Sequence, residues 1–400
     1  MQPEIVRADA PASRQHGLDL VRAAAIASVM LYHANVMRLV PSPAPWPINF
    51  GWMGVDIFFV LSGFLIASQL LKPWASAAKP DYRRFFVRRA LRTIPAFVVV
   101  VLLYFVFPPL RETHAIQPFW QFATFTENLL FDPSAPKAFD QVWSLCVEEQ
   151  FYLLFPLVLA LIAIKPSARK TATVLLVMVA AGVFLRGFLW LAFVADKPFD
   201  QHSASKWQAY VTLIYYPTWS RLDGLLAGIA LATLKIFRPN AWKSFVAQPN
   251  LLLAAGLTGA AAAIALFAGP FSPLLGAAFG FPLISLSAAL VVAAASTGSA
   301  LIGKYRVPGG AALATGAYSL YLTHKMAYHA VHTWIAPAVG ATGYAEFTLA
   351  IVVALLAGAL LYWAVERPFL ILRNHLEGRS RTTLRLDLFG KRGSKVEQPI

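Results

Sequence analysis

Residues 50–71, FGWMGVDIFFVLSGFLIASQLL, form a 22-residue apolar run whose one charged residue is Asp56. About 20 helical residues cross the hydrocarbon core of a bilayer, and a strand has no use for such a length. The run therefore reads as a transmembrane helix, and the rest of the chain repeats it. Apolar runs of similar length lie at 18–37, 86–107, 144–164, 171–194, 213–234, 251–268, 274–297, 311–333 and 346–366. The fold class is all-α: a polytopic transmembrane bundle of about ten spans over residues 18–366, between tails 1–17 and 367–400. Pro108, Pro109, Pro118, Pro133 and Pro136 make 107–143 a long loop with room for one surface helix.

Composition supports this class. Hydrophobic residues are 58% and charged residues 13% of the 400, about half the charged fraction usual in soluble domains. A soluble multidomain enzyme, a disordered chain and a disulfide scaffold are excluded, the last because Cys146 is the one cysteine. The net charge of +15 follows the spans. With the N-terminus inside, the inner segments hold 25 Lys and Arg and the outer loops five. That asymmetry places both termini in the cytoplasm and removes nucleic acid as the reason for the charge, while leaving room for a phosphorylated ligand. Arg22 and His33 within the first run, and no clean cleavage site after it, argue against a signal peptide.

Ionisable residues inside a bilayer are costly and count as functional candidates. They are Arg22 and His33, Asp56, Arg88 and Arg92, Glu148 and Glu149, Arg186, Arg221 and Asp223, His324 and Lys325, and Glu366. Arg22 and His33, eleven residues apart, share a helix face and are separated by about 16 Å. A ligand with an anionic head and a reactive tail fits between them; the plainer alternatives are a snorkelling arginine and an interhelical histidine bond. Arg88 and Arg92, four apart, also share a face, with Arg89 pointing elsewhere. Two guanidiniums suit phosphate, although a positive-inside anchor like Arg83 and Arg84 would look the same. Glu148 and Glu149 face different ways. Arg221 and Asp223, two apart, each require a partner on another helix. Cys146 among apolar neighbours reads as packing rather than as an acyl-carrying nucleophile. No metal-ligand spacing, phosphate loop or G-x-S-x-G motif stands in a credible context.

Seven blocks resemble the acyltransferase-3 family of bacterial integral membrane O-acyltransferases. They are GLDLVRAAAIASVMLYH at 17–33, GWMGVDIFFVLSGFLIA at 51–67, FFVRRALRTIPAF at 85–97, WSLCVEEQFYLLFP at 143–156, SRLDGLLAG at 220–228, AYSLYLTH at 317–324 and VERP at 365–368. They stand in the family's order along most of the chain. The resemblance implies a multi-pass protein of the bacterial inner membrane that moves an acyl group, often acetyl, from cytoplasmic acyl-CoA to a sugar hydroxyl outside. Acyl-CoA is then a substrate, and no permanently bound cofactor or metal is implied. The partners implied are membrane lipids, acyl-CoA and a carbohydrate or glycoconjugate acceptor.

By the same resemblance His33 is the essential histidine, expected to act as general base. Arg22, Arg88 and Arg92 attract the donor phosphates. Glu148 and Glu149 match the family's acidic pair and, with Asp56, are candidates to orient the imidazole. Arg221, Asp223 and His324 are candidates for holding or orienting substrate. Two residues depart from the pattern: Cys146 stands where Ser is common, and Lys325 where an apolar residue or Pro is usual. Lys325 suits either an acidic substrate or a pairing carboxylate. About 30 residues follow VERP, so a second soluble transfer step is not expected on this polypeptide. The rival reading is a transporter or flippase, which also fits ten spans with buried charge. Against it, no inverted repeat and no matched pair of broken segments is visible. A mere scaffold would not need Arg22, His33, Arg88 and Arg92 on shared faces.

Overall fold

The computed structural model describes residues 16–76, 78–134, 136–163, 168–197, 206–268 and 273–376. The N-terminal tail up to residue 15 and residues 377–400 of the C-terminal tail lie outside the described residues. The apolar runs become helices: α1 His16–Val36, α2 Gly54–Ala75, α3 Tyr82–Val106, α4 Trp143–Ala163, α5 Ala168–Leu189 and α6 Asp223–Phe237. They continue as α7 Pro249–Ala268, α8 Phe281–Ala295, α9 Gly310–Ala330, α10 Tyr344–Leu361 and α11 Arg367–Leu376. Six described helical stretches are long and apolar enough to cross a membrane: 46–75, 82–106, 169–194, 249–268, 273–295 and 344–376. The chain is a helical membrane protein. The described residues hold two strands, β1 Ala115–Ile116 and β2 Lys137–Ala138, paired in parallel across the long loop.

Two expected spans take a different form. The run 213–234 is not one helix: a π-helical stretch closes at Tyr215, Thr218–Ser220 form a 3-10 turn, and α6 starts at Asp223. Pro217, in extended conformation, is the cause, since it cannot donate to a helical ladder and restricts the residue before it. The tenth run does not end at 366. It passes through a π turn at Tyr362–Glu366 and continues as α11, making a helical stretch of 33 residues. The π turn lies just ahead of Pro368, where the regular ladder loses a donor.

Helices in lipid gain little from the hydrophobic effect between themselves and associate through close packing of small residues. α2 and α6 meet in this way. A Cβ placed on Gly63 would lie 2.3 Å from the Leu225 carbonyl oxygen, and one on Gly228 would lie 2.3 Å from that of Val60. α1 sits inside the bundle against α2, α8 and α9. The main apolar core joins side chains of α1, α2, α4, α6, α8 and α9. A second cluster joins Phe97 and Tyr104 of α3, Phe122 and Phe139 of the long loop, Cys146 of α4 and Leu322 of α9. Phe139 stacks on Tyr104 with ring centroids 4.5 Å apart, which seats the loop on the helices that carry the polar residues described next.

Candidate active site

α1 and α9 bring His33 and His324 together. His33 Nδ1 lies 2.8 Å from His324 Nε2, and His324 Nδ1 lies 2.9 Å from the Leu320 carbonyl one turn earlier on α9. A carbonyl can only accept, so His324 Nδ1 carries a hydrogen and donates it. In the neutral ring Nε2 is then an acceptor, and His33 Nδ1 must be the donor between the two rings. The lone pair of His33 is thereby placed on Nε2, which makes no hydrogen bond among the described residues. Tyr328 Oη donates to the Met30 carbonyl at 3.2 Å and fixes the spacing of the two helices beside the pair. His324 is fully buried and His33 half-buried, so one ring is held and the other reaches an accessible side.

The neighbour of His324 ties down the long loop. Lys325 Nζ lies 3.1 Å from Glu112 Oε1 and also donates to Asp140 Oδ1. Glu112 Oε1 in turn accepts from the Phe139 backbone N–H at 3.0 Å. Lys325 thus pairs with two loop carboxylates, one of the two uses expected for it. Tyr321 Oη, one turn before, bonds Ser144 Oγ at 2.7 Å and donates to the Gln141 carbonyl at 2.8 Å. Glu127, in the same loop, is fully buried with both carboxylate oxygens unbonded among the described residues. Burial, and after it the Asp140 carboxylate, push Glu127 well above the usual carboxylate range, with Lys325 opposing.

The remaining candidates form separate groups. Arg221 Nη2 lies 2.9 and 3.0 Å from the Asp56 carboxylate oxygens. The Arg221 guanidinium also stands 4.0 Å from the Phe281 ring centroid and 5.0 Å from that of Trp143. Asp223 accepts from Arg186 Nη1 at 2.7 Å. Arg221 and Asp223 each bond another helix, as their spacing requires. Glu148 accepts from Tyr152 Oη and lies 3.8 Å from Arg89 Nη2. Glu149 lies beside Thr93, within electrostatic reach of Arg89. None of Asp56, Glu148 and Glu149 bonds His33; the imidazole's partner is His324.

Arg89 faces inward: its guanidinium lies 3.7 Å from the Tyr152 ring centroid, and like Arg92 it is within electrostatic reach of Glu148. Glu148 and Tyr152, four apart on α4, are the signal that could have marked the inward face. Arg22 lies 3.7 Å from Asp19, one turn earlier on α1. Arg88 lines a cavity at the start of α3, and Arg92, one turn on, is half-buried within electrostatic reach of Glu148 and Glu366. Among the described residues, Arg22 is placed beside Asp19, Arg88 in the cleft at the start of α3 and Arg92 near Glu148 and Glu366. Cys146 is fully buried in the second apolar cluster.

Comparison with known proteins adds an independent line. A family described as an acyltransferase domain matches residues 15–363. An O-acetyltransferase OatA of Staphylococcus aureus is 30% identical over 327 residues, covering 77% of this chain and 49% of the relative. A peptidoglycan O-acetyltransferase OatA of Listeria monocytogenes is 32% identical over 228 residues, covering 54% of this chain and 33% of the relative. The chain therefore spans about half the length or less of these relatives. No solved structure matches it.

Proposed function

Since the chain belongs to the acyltransferase-3 family, matched over residues 15–363, we propose that it moves an acyl group, in the simplest case acetyl, from acyl-CoA to a sugar hydroxyl. The donor enters from the cytoplasm and the acceptor lies outside, across ten spans of a bacterial inner membrane with both termini cytoplasmic. The Listeria relative is named for peptidoglycan, so peptidoglycan sugars are the first acceptor to test. The observation that carries the reading is the His33–His324 pair, with a lone pair held on an open imidazole nitrogen.

The chemistry follows from that geometry. The acceptor hydroxyl gives its proton to His33 Nε2 as its oxygen attacks the thioester carbonyl. The carbon–sulfur bond breaks, the coenzyme leaves as thiolate, and that thiolate takes the proton back from Nε2. Between these events His33 is an imidazolium. Its Nδ1–H still points at the Nε2 lone pair of neutral His324, whose own hydrogen is committed to the Leu320 carbonyl, so the charge forms against a prepared acceptor. Arg88 and Arg92 favour the donor's phosphates at the inner end of α3, and Arg22 favours the same end of α1. Glu148 acts through Arg89 and Tyr152, holding the inner face of α3 and α4 in place.

The test uses purified protein, acetyl-CoA labelled in the acetyl group, and peptidoglycan fragments. The expected result is a labelled sugar ester with one free thiol released per acetyl moved. Neither ester nor thiol above the no-enzyme rate, across peptidoglycan and other glycan acceptors, would overturn the reading.

A further inference from the structure

We propose that the cleft between the start of α3 and α11 is a binding site for the phosphate of an organic ligand, and that α11 supplies one of its walls. The cleft has a volume of about 410 Å³ and is lined by Arg83, Arg84, Arg88 and Arg373, with Asp81 as its single carboxylate among the described residues. Asp81 is engaged as the cap of α3, accepting the Arg84 backbone N–H at 2.8 Å. The positive end of a 25-residue helix thus opens into the same space as four guanidiniums. Arg373 is half-buried, and Asn374 Oδ1 accepts from its Nη2 at 3.2 Å, which holds the head in place. Arginine forks match phosphate oxygens in pairs, which lysine ammonium groups do not.

Two further features shape the ligand. Val87 and Leu376 edge the cleft and are 41% and 66% exposed, so an apolar portion can lie beside the phosphate. α11 begins at Arg367, within the VERP block, and its later residues, Arg373 and Leu376 among them, lie past the family match, which ends at residue 363. A phosphate beside an apolar body describes both the coenzyme end of a thioester donor and a phospholipid headgroup. For the first ligand the inference rests on the acyl-CoA reading above; for the second it stands alone.

Full-length protein in lipid nanodiscs separates the two. In the first arm, adenosine 3′,5′-bisphosphate is titrated in neutral phosphatidylcholine discs. In the second, retention of phosphatidylglycerol from mixed discs is read by native mass spectrometry. Arg84→Ala and Arg373→Ala are each expected to weaken binding about 10-fold in at least one arm, the lower end for a lost charge-assisted hydrogen bond. Arg306→Ala, at an exposed arginine away from the cleft, is expected to match the parent. Loss in the first arm assigns the coenzyme, and loss in the second assigns the headgroup. If Arg373→Ala does not fold, Arg373→Gln replaces it. Folded Arg84 and Arg373 variants within twofold of the parent in both arms overturn the site, and loss confined to Arg84→Ala overturns the role of α11. Acyl transfer measured on the same discs reports separately: arginine-dependent phosphate binding without transfer would sink the enzymatic reading and leave the site standing.

Discussion

At the scale of single residues, the mechanism proposed above gives the two paired histidines separate roles, His33 as base and His324 as its positioning partner. His33→Ala should leave a folded protein that still binds acyl-CoA while transfer falls by about 10²–10⁴-fold, the share usual for general acid–base catalysis. His324→Ala should cost less, because Nε2 of His33 remains, but should alter the pH profile of transfer by freeing the His33 tautomer. Equal rates in His33→Ala and the parent protein would remove the mechanism. Glu127 gives a prediction for stability. Its carboxyl is raised in the folded protein by burial, so folding favours the protonated form. The stability this contributes is full below the unfolded value near 4.5 and is lost as pH rises through the raised folded value. Glu127→Gln cannot ionise, so its advantage in unfolding midpoint over the parent should grow from about pH 4.5 upward; a difference independent of pH would refute this. His33 and Lys325 were visible in sequence as ionisable residues inside apolar runs. The pairing of His33 with His324 was not, because 291 residues separate them and only the packing of α1 on α9 joins them. Glu127 and Asp140 were hidden for another reason: in a polar loop a carboxylate carries no signal of burial.

At the scale of helices, the bundle relies on two devices. The first is small residues at the α2–α6 contact. Gly228→Ala pushes a methyl group into the Val60 carbonyl, and overpacking of this kind costs about 1–3 kcal/mol. A thermal or denaturant midpoint equal to the parent's would show that the helices can separate without penalty. The second is the buried ion pair that joins α5 to α6. Arg186 and Asp223 are 1% and 5% exposed, so Arg186→Met leaves a carboxylate buried without its counter-charge, at about 3–5 kcal/mol. Pairing it with Asp223→Asn should recover much of that loss, and a double variant no better than the single one would count against the pair. Apolar length alone located these helices. It failed at 213–234, where the composition stays apolar while Pro217 breaks the ladder, and at 366, where hydropathy falls but the helix continues. Continuity of backbone hydrogen bonding and continuity of apolar character are different properties, and only the second is written in composition.

At the scale of the whole molecule, the basic residues carry the orientation. The 25-to-5 division of Lys and Arg predicts that reporter fusions place both chain ends in the cytoplasm, residue 390 among them. A fusion at 390 that reads as external would reject the ten-span topology. In that topology the arginine cleft lies at the inner end and the histidine pair toward the outer end, and this is the distance the proposed donor has to bridge. α1 and α9, which hold the two histidines, are not among the six described stretches that qualify as spans on length and hydropathy. They are instead enclosed by helices that do qualify.

The Leu320 carbonyl that orients His324 is a main-chain atom, and this governs how the site tolerates hereditary change. No substitution at position 320 removes that acceptor, provided α9 stays helical. Substitutions at position 320 that keep α9 helical therefore leave the direction of the His324 proton unchanged. Deleting one residue between Leu320 and His324 would rotate the ring by about 100° about the helix axis and abolish the arrangement in a single event. The turn from Leu320 to His324 is thus sensitive to its length and not to which side chain stands at position 320.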